Sequence, residues 1–312
     1  MVNSDILNLL SFGVLLYFCF KIFNILKRIL YPYVIASPID LKKASGGDWA
    51  VVTGSTDGIG KQYAIELSKK NFNIILISRN QSKLEDVKNE IHQISPNVEI
   101  KTISFDFTNT SYNDYESVIL KELKNYEIGI FVNNVGMAFE IPAIIHETEG
   151  GLKRISDILI VNSLPVTILT AEIIPQMLKR NKGIIVNVAS FVGYLSLAEW
   201  NVYSASKRYM IHLTRILQKE YYGTGIIFQC LCPLLIVTKM SKAEKTSIFS
   251  PYPDEYVKSA IKTIGRAEET SGYLPHQLQT EGINLLPSII SDFFTKRGND
   301  EIKSYMKKQI VE

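Results

Sequence analysis

Little in this 312-residue chain could hold a metal or a disulfide: it has three cysteines and four histidines. Cys19 lies in an apolar N-terminal stretch, while Cys230 and Cys232 alternate along the apolar run from Ile226 to Cys232. That spacing fits neither a disulfide framework nor a metal site, so buried reduced thiols are expected. His92, His146, His212 and His276 are scattered, and no metal is expected. Charge of one sign is also missing. The 34 Lys and Arg against 31 Asp and Glu leave a net charge of +3 without a long basic block, so no nucleic-acid partner is expected. No internal repeat or low-complexity tract interrupts the chain. Apolar residues are plentiful at 46%, enough to bury one large core, alone or with appendages.

The N-terminus lacks the marks of a signal peptide. Asp5 and no Lys or Arg precede the apolar run, and no small-residue cleavage site closes it. Residues 6–20 are apolar apart from Asn8, Ser11 and Gly13, and the apolar character resumes after Lys21 through Leu26. With Lys21 near the end of the span, this suffices to cross a bilayer. Lys21, Lys27, Arg28, Lys42 and Lys43 then place the body of the protein on the cytosolic side. Residues 1–30 are therefore expected to be a membrane anchor, with an interfacial helix as the alternative. Pro32, Pro38, Gly46 and Gly47 punctuate 31–47 as a linker. A main domain over 48–280 and a C-terminal helical extension over 281–312 follow. Within the latter, 282–294 reads as a core helix or a second membrane contact. Lys307 and Lys308 are followed by four residues and are not read as a retention signal.

The reactive constellation centres on Tyr203 and Lys207, with Ser190 upstream. If 200–222 is helical, Tyr203 and Lys207 lie one turn apart on one face. An ammonium beside a phenol favours the phenolate, so the tyrosine pKa is expected to fall, suiting it to exchange a proton with a substrate oxygen. Ser190 ends the apolar run 183–189, which reads as a buried parallel strand. Sites in open α/β sheets lie at the carboxyl ends of such strands.

Nucleotide chemistry is written earlier in the chain. The strand 49–53 runs into Gly54, Ser55, Thr56, Asp57, Gly58, Ile59 and Gly60, and a helix-like 61–70 follows. Strand, glycine turn and helix aim backbone N–H groups at a phosphate. The next strand, 72–77, is followed by Ser78, Arg79 and Asn80; a carboxylate at the Arg79 position would suit NAD and an arginine suits the 2′-phosphate of NADP. Residues 81–94 read as a helix and 98–105 as a strand ending at Asp106, either a helix cap or an adenine contact. A helix over 112–125 leads to a buried strand, 128–132, that ends in Asn133, Asn134, Val135 and Gly136. Residues 147–181 read as a long helix interrupted around Asn162 and Pro165. An Asn in an apolar helix suggests a kink, a water site or a proton path to Lys207. A strand over 226–232 and a helix over 254–264 complete the pattern. The alternation from Trp49 to Cys232 predicts an α/β doubly wound parallel sheet, a Rossmann fold, behind the hydrophobic anchor helix.

As a set, the glycine turn, Asn133 to Gly136, Asn162, Ser190 and the Tyr203/Lys207 pair resemble the short-chain dehydrogenase/reductases over about residues 48–240. That resemblance implies NADP(H) and an Asn162, Ser190, Tyr203, Lys207 tetrad. Tyr203 would be the general acid/base and Ser190 would orient the substrate oxygen. Lys207 would lower the tyrosine pKa and bind the nicotinamide ribose, and Asn162 would hold a relay water. Asp106 would contact adenine and Thr238 the carboxamide, with Asn133 in the cofactor-binding set. A homodimer through the long helices is likewise implied. The N-terminal anchor, Gly58 to Lys61, Asn73 to Asn80, and the segments 256–261 and 272–278 are similar to the branch of membrane-bound 17β-hydroxysteroid dehydrogenases and very-long-chain 3-oxoacyl-CoA reductases. That implies a lipophilic substrate, a steroid or acyl-CoA, at the endoplasmic reticulum membrane. Val135 and Leu234 depart from the family pattern at the cofactor pocket and at the loop over the nicotinamide. Met240, Ile248, Phe249, Tyr252 and Tyr256 are expected to form an apolar substrate wall. The alternative is a catalytically inactive nucleotide-binding membrane scaffold of the same fold.

Overall fold

The computed structural model describes residues 4–243, 245–287, 290, 292, 293, 295–300, 303 and 304. Lys307, Lys308 and part of 282–294 lie outside them. A parallel sheet is built from β1 (Trp49–Thr53), β2 (Asn73–Ser78), β3 (Ile100–Ser104), β4 (Ile128–Asn133), β5 (Gly183–Val188), β6 (Ile226–Leu231) and β7 (Glu269–Thr270), in the order β3-β2-β1-β4-β5-β6-β7. Between β1 and β4 the winding reverses, which opens a crevice at the carboxyl ends of these two strands. The short β7 carried no strand signal of its own and pairs only Glu269 and Thr270 with β6.

Side chains alternate across the sheet. Ala50 and Val52 face one layer, with α3 (Gly58–Ser68), α4 (Gln81–Ile94) and α9 (Pro253–Lys262). Val51 faces the other, with α7 (Gly151–Arg180) and the helical stretch 112–123. That stretch is α5 (Tyr112–Asp114), a wider π turn (Tyr115–Leu120) and α6 (Lys121–Leu123). α8 (Asn201–Glu220) packs beside α7. Each fully buried Ile, Leu or Val contributes roughly 1.5–3 kcal/mol, so strands buried on both faces anchor the whole sheet. A polar seam crosses this apolar interior: Asn133 Nδ2 donates to Thr170 Oγ1 and Asn187 Oδ1, and Asn187 Nδ2 donates to Thr214 Oγ1.

Four expectations change. The interruption near Asn162 and Pro165 is absent, and α7 is continuous with Pro165 and Pro175 inside it. The helix after the glycine turn begins at Gly58 rather than Lys61, because Asp57 caps it there by accepting from Gly58 N. The segment 31–47 is structured against the body: Pro32 is buried in a π turn (Tyr31–Ile35), and α2 (Leu41–Ser45) covers the sheet with Leu41. The boundary expected at 280 falls inside α10 (Leu274–Leu285).

Among the described residues, two helices are long and apolar enough to cross a membrane. α7 is half buried as a covering layer of the sheet, whereas α1 (Ser4–Leu30) has none of its apolar window buried.

Candidate active site

β5 and α8 bring the reactive groups together. Ser190 follows β5 and caps a short turn, Phe191–Tyr194, its Oγ accepting from Val192 N. Ser204 on α8 donates to the carbonyls of Val192 and Leu195, fastening the helix under that turn. Gly193 allows the close approach, since a Cβ there would lie 2.9 Å from the Lys207 carbonyl carbon. Tyr203 and Lys207 thus lie one turn apart, the ammonium 5.9 Å from the tyrosine ring centroid and donating to the Val188 carbonyl at 3.1 Å. The Ser190 and Tyr203 side chains both line the cleft beside Lys207.

The electrostatics differ from the expected ones. Burial raises the Tyr203 pKa, and the nearby Ser190 hydroxyl only partly offsets the rise. Burial also lowers the Lys207 pKa to about 8. The lysine charge lies over the ring and is spent on a carbonyl, so the protein's own groups do not make a phenolate. They keep Tyr203 protonated beside a lysine that is still mostly charged at neutral pH.

Asn162 is fully buried and sits outside the cavity lining. Its Oδ1 accepts from Met137 N, and its Nδ2 donates to the Met137 carbonyl and to Ser206 Oγ. It is a clip joining α7, the loop after β4, and α8. Gly136 makes room for it: a Cβ there would meet Asn162 Oδ1 at 3.2 Å and Lys207 Nζ at 3.3 Å.

One cleft of about 1190 Å³ runs from Arg79 and Asp106, past the glycine turn, to Ser190, Tyr203 and Lys207. Small-molecule sites usually occupy about 300–1,000 Å³, so a dinucleotide and a substrate can share it. Gly54, Thr56, Asp57, Gly58 and Ile59 line the cleft, whereas Ser55 and Gly60 do not. Ser55 is buried, and Gly60 is a packing glycine, where a Cβ would meet Asn134 Nδ2 and Gly54 O at 2.4 Å. Asn133 belongs to the buried seam; its neighbour Asn134 lines the cleft and donates to the Thr53 and Gly54 carbonyls. Thr53 Oγ1 in turn accepts from the backbone of Asn134 and Val135. Val135 packs on the core below. Gly54 and Gly58 have φ of +64° and +53°, so only glycine sits there unstrained. With a helix N-terminus beyond them and an exposed arginine at the far end, these residues fit a phosphorylated dinucleotide.

Asp106 accepts from the backbone and hydroxyl of Thr108, fixing the turn after β3. Thr238 exchanges hydrogen bonds with Ser241, and Lys239 pairs with Asp57 across the mouth at 3.0 Å. Leu234 is not in the left-handed region, so a side chain there brings no backbone strain. Its N–H donates to His276 Nδ1 at 3.3 Å.

The substrate wall is largely other than expected. Met240 lines the cleft, but Ile248, Phe249 and Tyr252 are exposed away from it. Tyr256 is fully buried because α9 turns Tyr256, Val257, Ala260 and Ile261 into the core. The wall comes instead from Phe139, Leu195, Leu197, Trp200, Ile283 and Leu286. No sequence motif marks these positions.

Residues 48–248 match the family model described as short chain dehydrogenase. A Caenorhabditis elegans protein provisionally named steroid dehydrogenase 2 is 47% identical over 93% of this chain and 92% of its own length. A very-long-chain 3-oxoacyl-CoA reductase of the same organism is 48% identical over 88% of this chain and 86% of its own. Among solved structures, actinorhodin polyketide ketoreductase with NADPH is 27% identical with a TM-score of 0.56, covering 63% of this chain and 74% of that one.

Proposed function

The chain belongs to the short chain dehydrogenase family, and from that premise we propose that it is a membrane-held, NADPH-dependent reductase of a lipophilic ketone. The substrate class is a steroid or a long-chain 3-oxoacyl-CoA, the two activities its relatives' names carry. The carrying observation is that Ser190, Tyr203 and Lys207 meet in the same cleft as the glycine turn.

The turn Gly54 to Ile59 and the α3 N-terminus would hold the pyrophosphate. Arg79 would take the 2′-phosphate, Asp106 the adenine, and Thr238 the nicotinamide end. Bound NADPH supplies the hydride. Tyr203, kept protonated by burial, gives its proton to the substrate oxygen as negative charge develops there. Ser190, lining the cleft beside that phenol, would donate to the same oxygen. The Lys207 ammonium, itself tied to Val188 O, steadies the phenolate left behind. Asn162 keeps the loop after β4 in place beside Lys207.

An exposed apolar α1 supports membrane attachment. Residues 4–26 would extend about 34 Å as a helix, against about 30 Å of hydrocarbon. The basic residues after it favour a body facing the cytosol, at the endoplasmic reticulum. Leu159, Tyr209 and Ile216 leave exposed apolar area on α7 and α8 for a homodimer.

NADPH oxidation by the detergent-solubilised protein, with a long-chain 3-oxoacyl-CoA and a 17-ketosteroid side by side, tests the reading. Turnover of the thioester alone assigns acyl-chain reduction, and turnover of the ketosteroid alone assigns steroid reduction. Bound NADPH with turnover of neither would overturn the reading in favour of a non-catalytic scaffold.

A further inference from the structure

α10 shows three different faces. Gln277 and Glu281 are buried and bond the N-terminal region: Arg28 Nε and Nη2 each meet a Glu281 carboxylate oxygen at 2.7 Å, and Gln277 Nε2 donates to the same carboxylate. Tyr33 adds hydrogen bonds to Thr270 and Gln277. Ile283 lines the cleft, as does Leu286 just past the helix end. The third face, with Leu278 and Leu285, is 48% and 67% exposed.

That third face has no covering element among the described residues, and its position says what covers it. α1 packs against α10, and Arg28 is in the last turn of α1. A bidentate arginine–carboxylate pair is geometrically demanding, so it fixes the level of α10 relative to the point where α1 leaves the bilayer. Ile283 and Leu286 follow Glu281 by two and five residues, or about 3–8 Å along the helix axis. The cleft wall is therefore within one or two turns of the membrane surface.

Resting on the membrane reading above, we propose that the outer face of α10, Leu278 and Leu285, sits in the acyl region of the bilayer beside α1, and that the lipophilic substrate reaches the cleft from the bilayer past this helix. At the other end of the same C-terminal segment, Asn299 accepts from Trp200 Nε1 and donates to the Ala198 carbonyl, and Lys303 pairs with Glu199. The segment thus connects a membrane-level ion pair to Trp200, whose ring lies 5.9 Å from that of Tyr203. A ketone carried on an aliphatic body could travel along Leu286 and Ile283 toward the phenol without passing through water.

Two measurements on the full chain in lipid nanodiscs test this. In Leu285→Trp, the emission added to that of Trp49 and Trp200 should be strongly quenched by bromine-labelled phospholipid and spared by aqueous acrylamide. Quenching by acrylamide alone would overturn the proposal, and so would shielding from both, which would mean a protein partner covers the face. In the second measurement, Leu278→Glu/Leu285→Glu should raise KM about tenfold for 3-oxohexadecanoyl-CoA supplied in vesicles, the scale of losing one buried leucine contact. Reduction of water-soluble acetoacetyl-CoA should be unchanged. An equal effect on both thioesters, or on neither, would count against the route. The quenching arm reads the contact even if wild type reduces neither thioester, so failure of the reductase reading is distinguishable.

Discussion

The nucleotide side of the cleft is backbone set against backbone, whereas the substrate side is assembled from side chains of distant segments. On the first, a Cβ at Gly54 would come within 2.9 Å of Val135 Cα, and Asn134 bonds both Thr53 and Gly54 carbonyls. On the second, Leu197, Trp200, Met240 and Leu286 meet only because His276, Asn299 and the Lys242–Glu140 pair hold their loops. A phosphate demands fixed N–H directions, which admit few sequences. An apolar substrate demands a shape, which many sequences supply. The two sides should accordingly fail in different ways.

Tyr203 stands where they meet, and its loss should give the largest effect. Tyr203→Phe should lower kcat by about 10³-fold, within the 10²–10⁴ range of general acid catalysis, with the NADPH Kd unchanged. Steady-state kinetics and a fluorescence titration of NADPH read the two quantities separately. A parallel loss of NADPH affinity would show that the two sides are not independent. The pH profile probes the same junction. Burial lowers the Lys207 pKa to about 8, so its charged form is lost as pH rises through that value. Reductase kcat/KM, which reports groups of the free enzyme, should fall by up to about tenfold per unit above it, while a flat profile to pH 9.5 would remove Lys207 from the step.

Two changes test the nucleotide side alone. Arg79 is exposed, and its guanidinium has no partner among the described residues. Arg79→Ala should cost about 1.5–3 kcal/mol of NADPH binding, the range for a charge-assisted hydrogen bond, with the NADH affinity little changed. Isothermal titration with both cofactors checks it, and equal losses for the two would contradict a 2′-phosphate contact. Gly60→Ala forces a Cβ onto Asn134 Nδ2 and Gly54 O. It should cost about 1–3 kcal/mol as overpacking, seen as a lower Tm together with weaker NADPH binding.

These contrasts also explain what could be read from the chain. β1 and α4 have the limits their apolar periodicity predicts, Trp49–Thr53 and Gln81–Ile94, because burial on both faces or on one stripe leaves a period in the sequence. The glycines of the turn were legible because a strand–turn–helix that exposes N–H groups needs them, and the Tyr203/Lys207 pair because four residues make one helical turn. Which of two neighbouring asparagines faces the cleft was not, since a single pleat decides it: Asn133 ends β4 pointing into the seam and Asn134 does not. Tyr256 was misplaced because an aromatic at helical spacing serves a core as well as a pocket. α1 and α7 are nearly equally apolar. Only the packing tells the exposed helix from the one that covers the sheet.

The smallest expected effect belongs to the substrate side, at His276. This ring is fully buried; Leu234 N–H donates to its Nδ1, so Nε2 carries the proton and donates to the Phe249 carbonyl at 3.1 Å. It ties both ends of the loop that carries Leu234, Thr238 and Met240. Burial lowers its pKa, against weaker opposing hydrogen bonds; the rings of Tyr256 and Tyr273 pack beside it. Protonation would set an N–H against the Leu234 N–H and add a charge among these rings. Since the folded pKa lies below the unfolded value of about 6.5, the stabilisation is complete above that pH and is lost as pH falls below it. His276→Gln should be less stable than wild type at pH 7.5, yet lose less of its Tm between pH 7.5 and 5. Its KM for substrate should rise several-fold with a smaller weakening of NADPH binding, because the same loop carries Met240 on the substrate wall and Thr238 beside Gly58 of the turn. Equal acid sensitivity of the two proteins would mean that another buried group titrates. An unchanged NADPH Kd would mean that Thr238 keeps its place without His276.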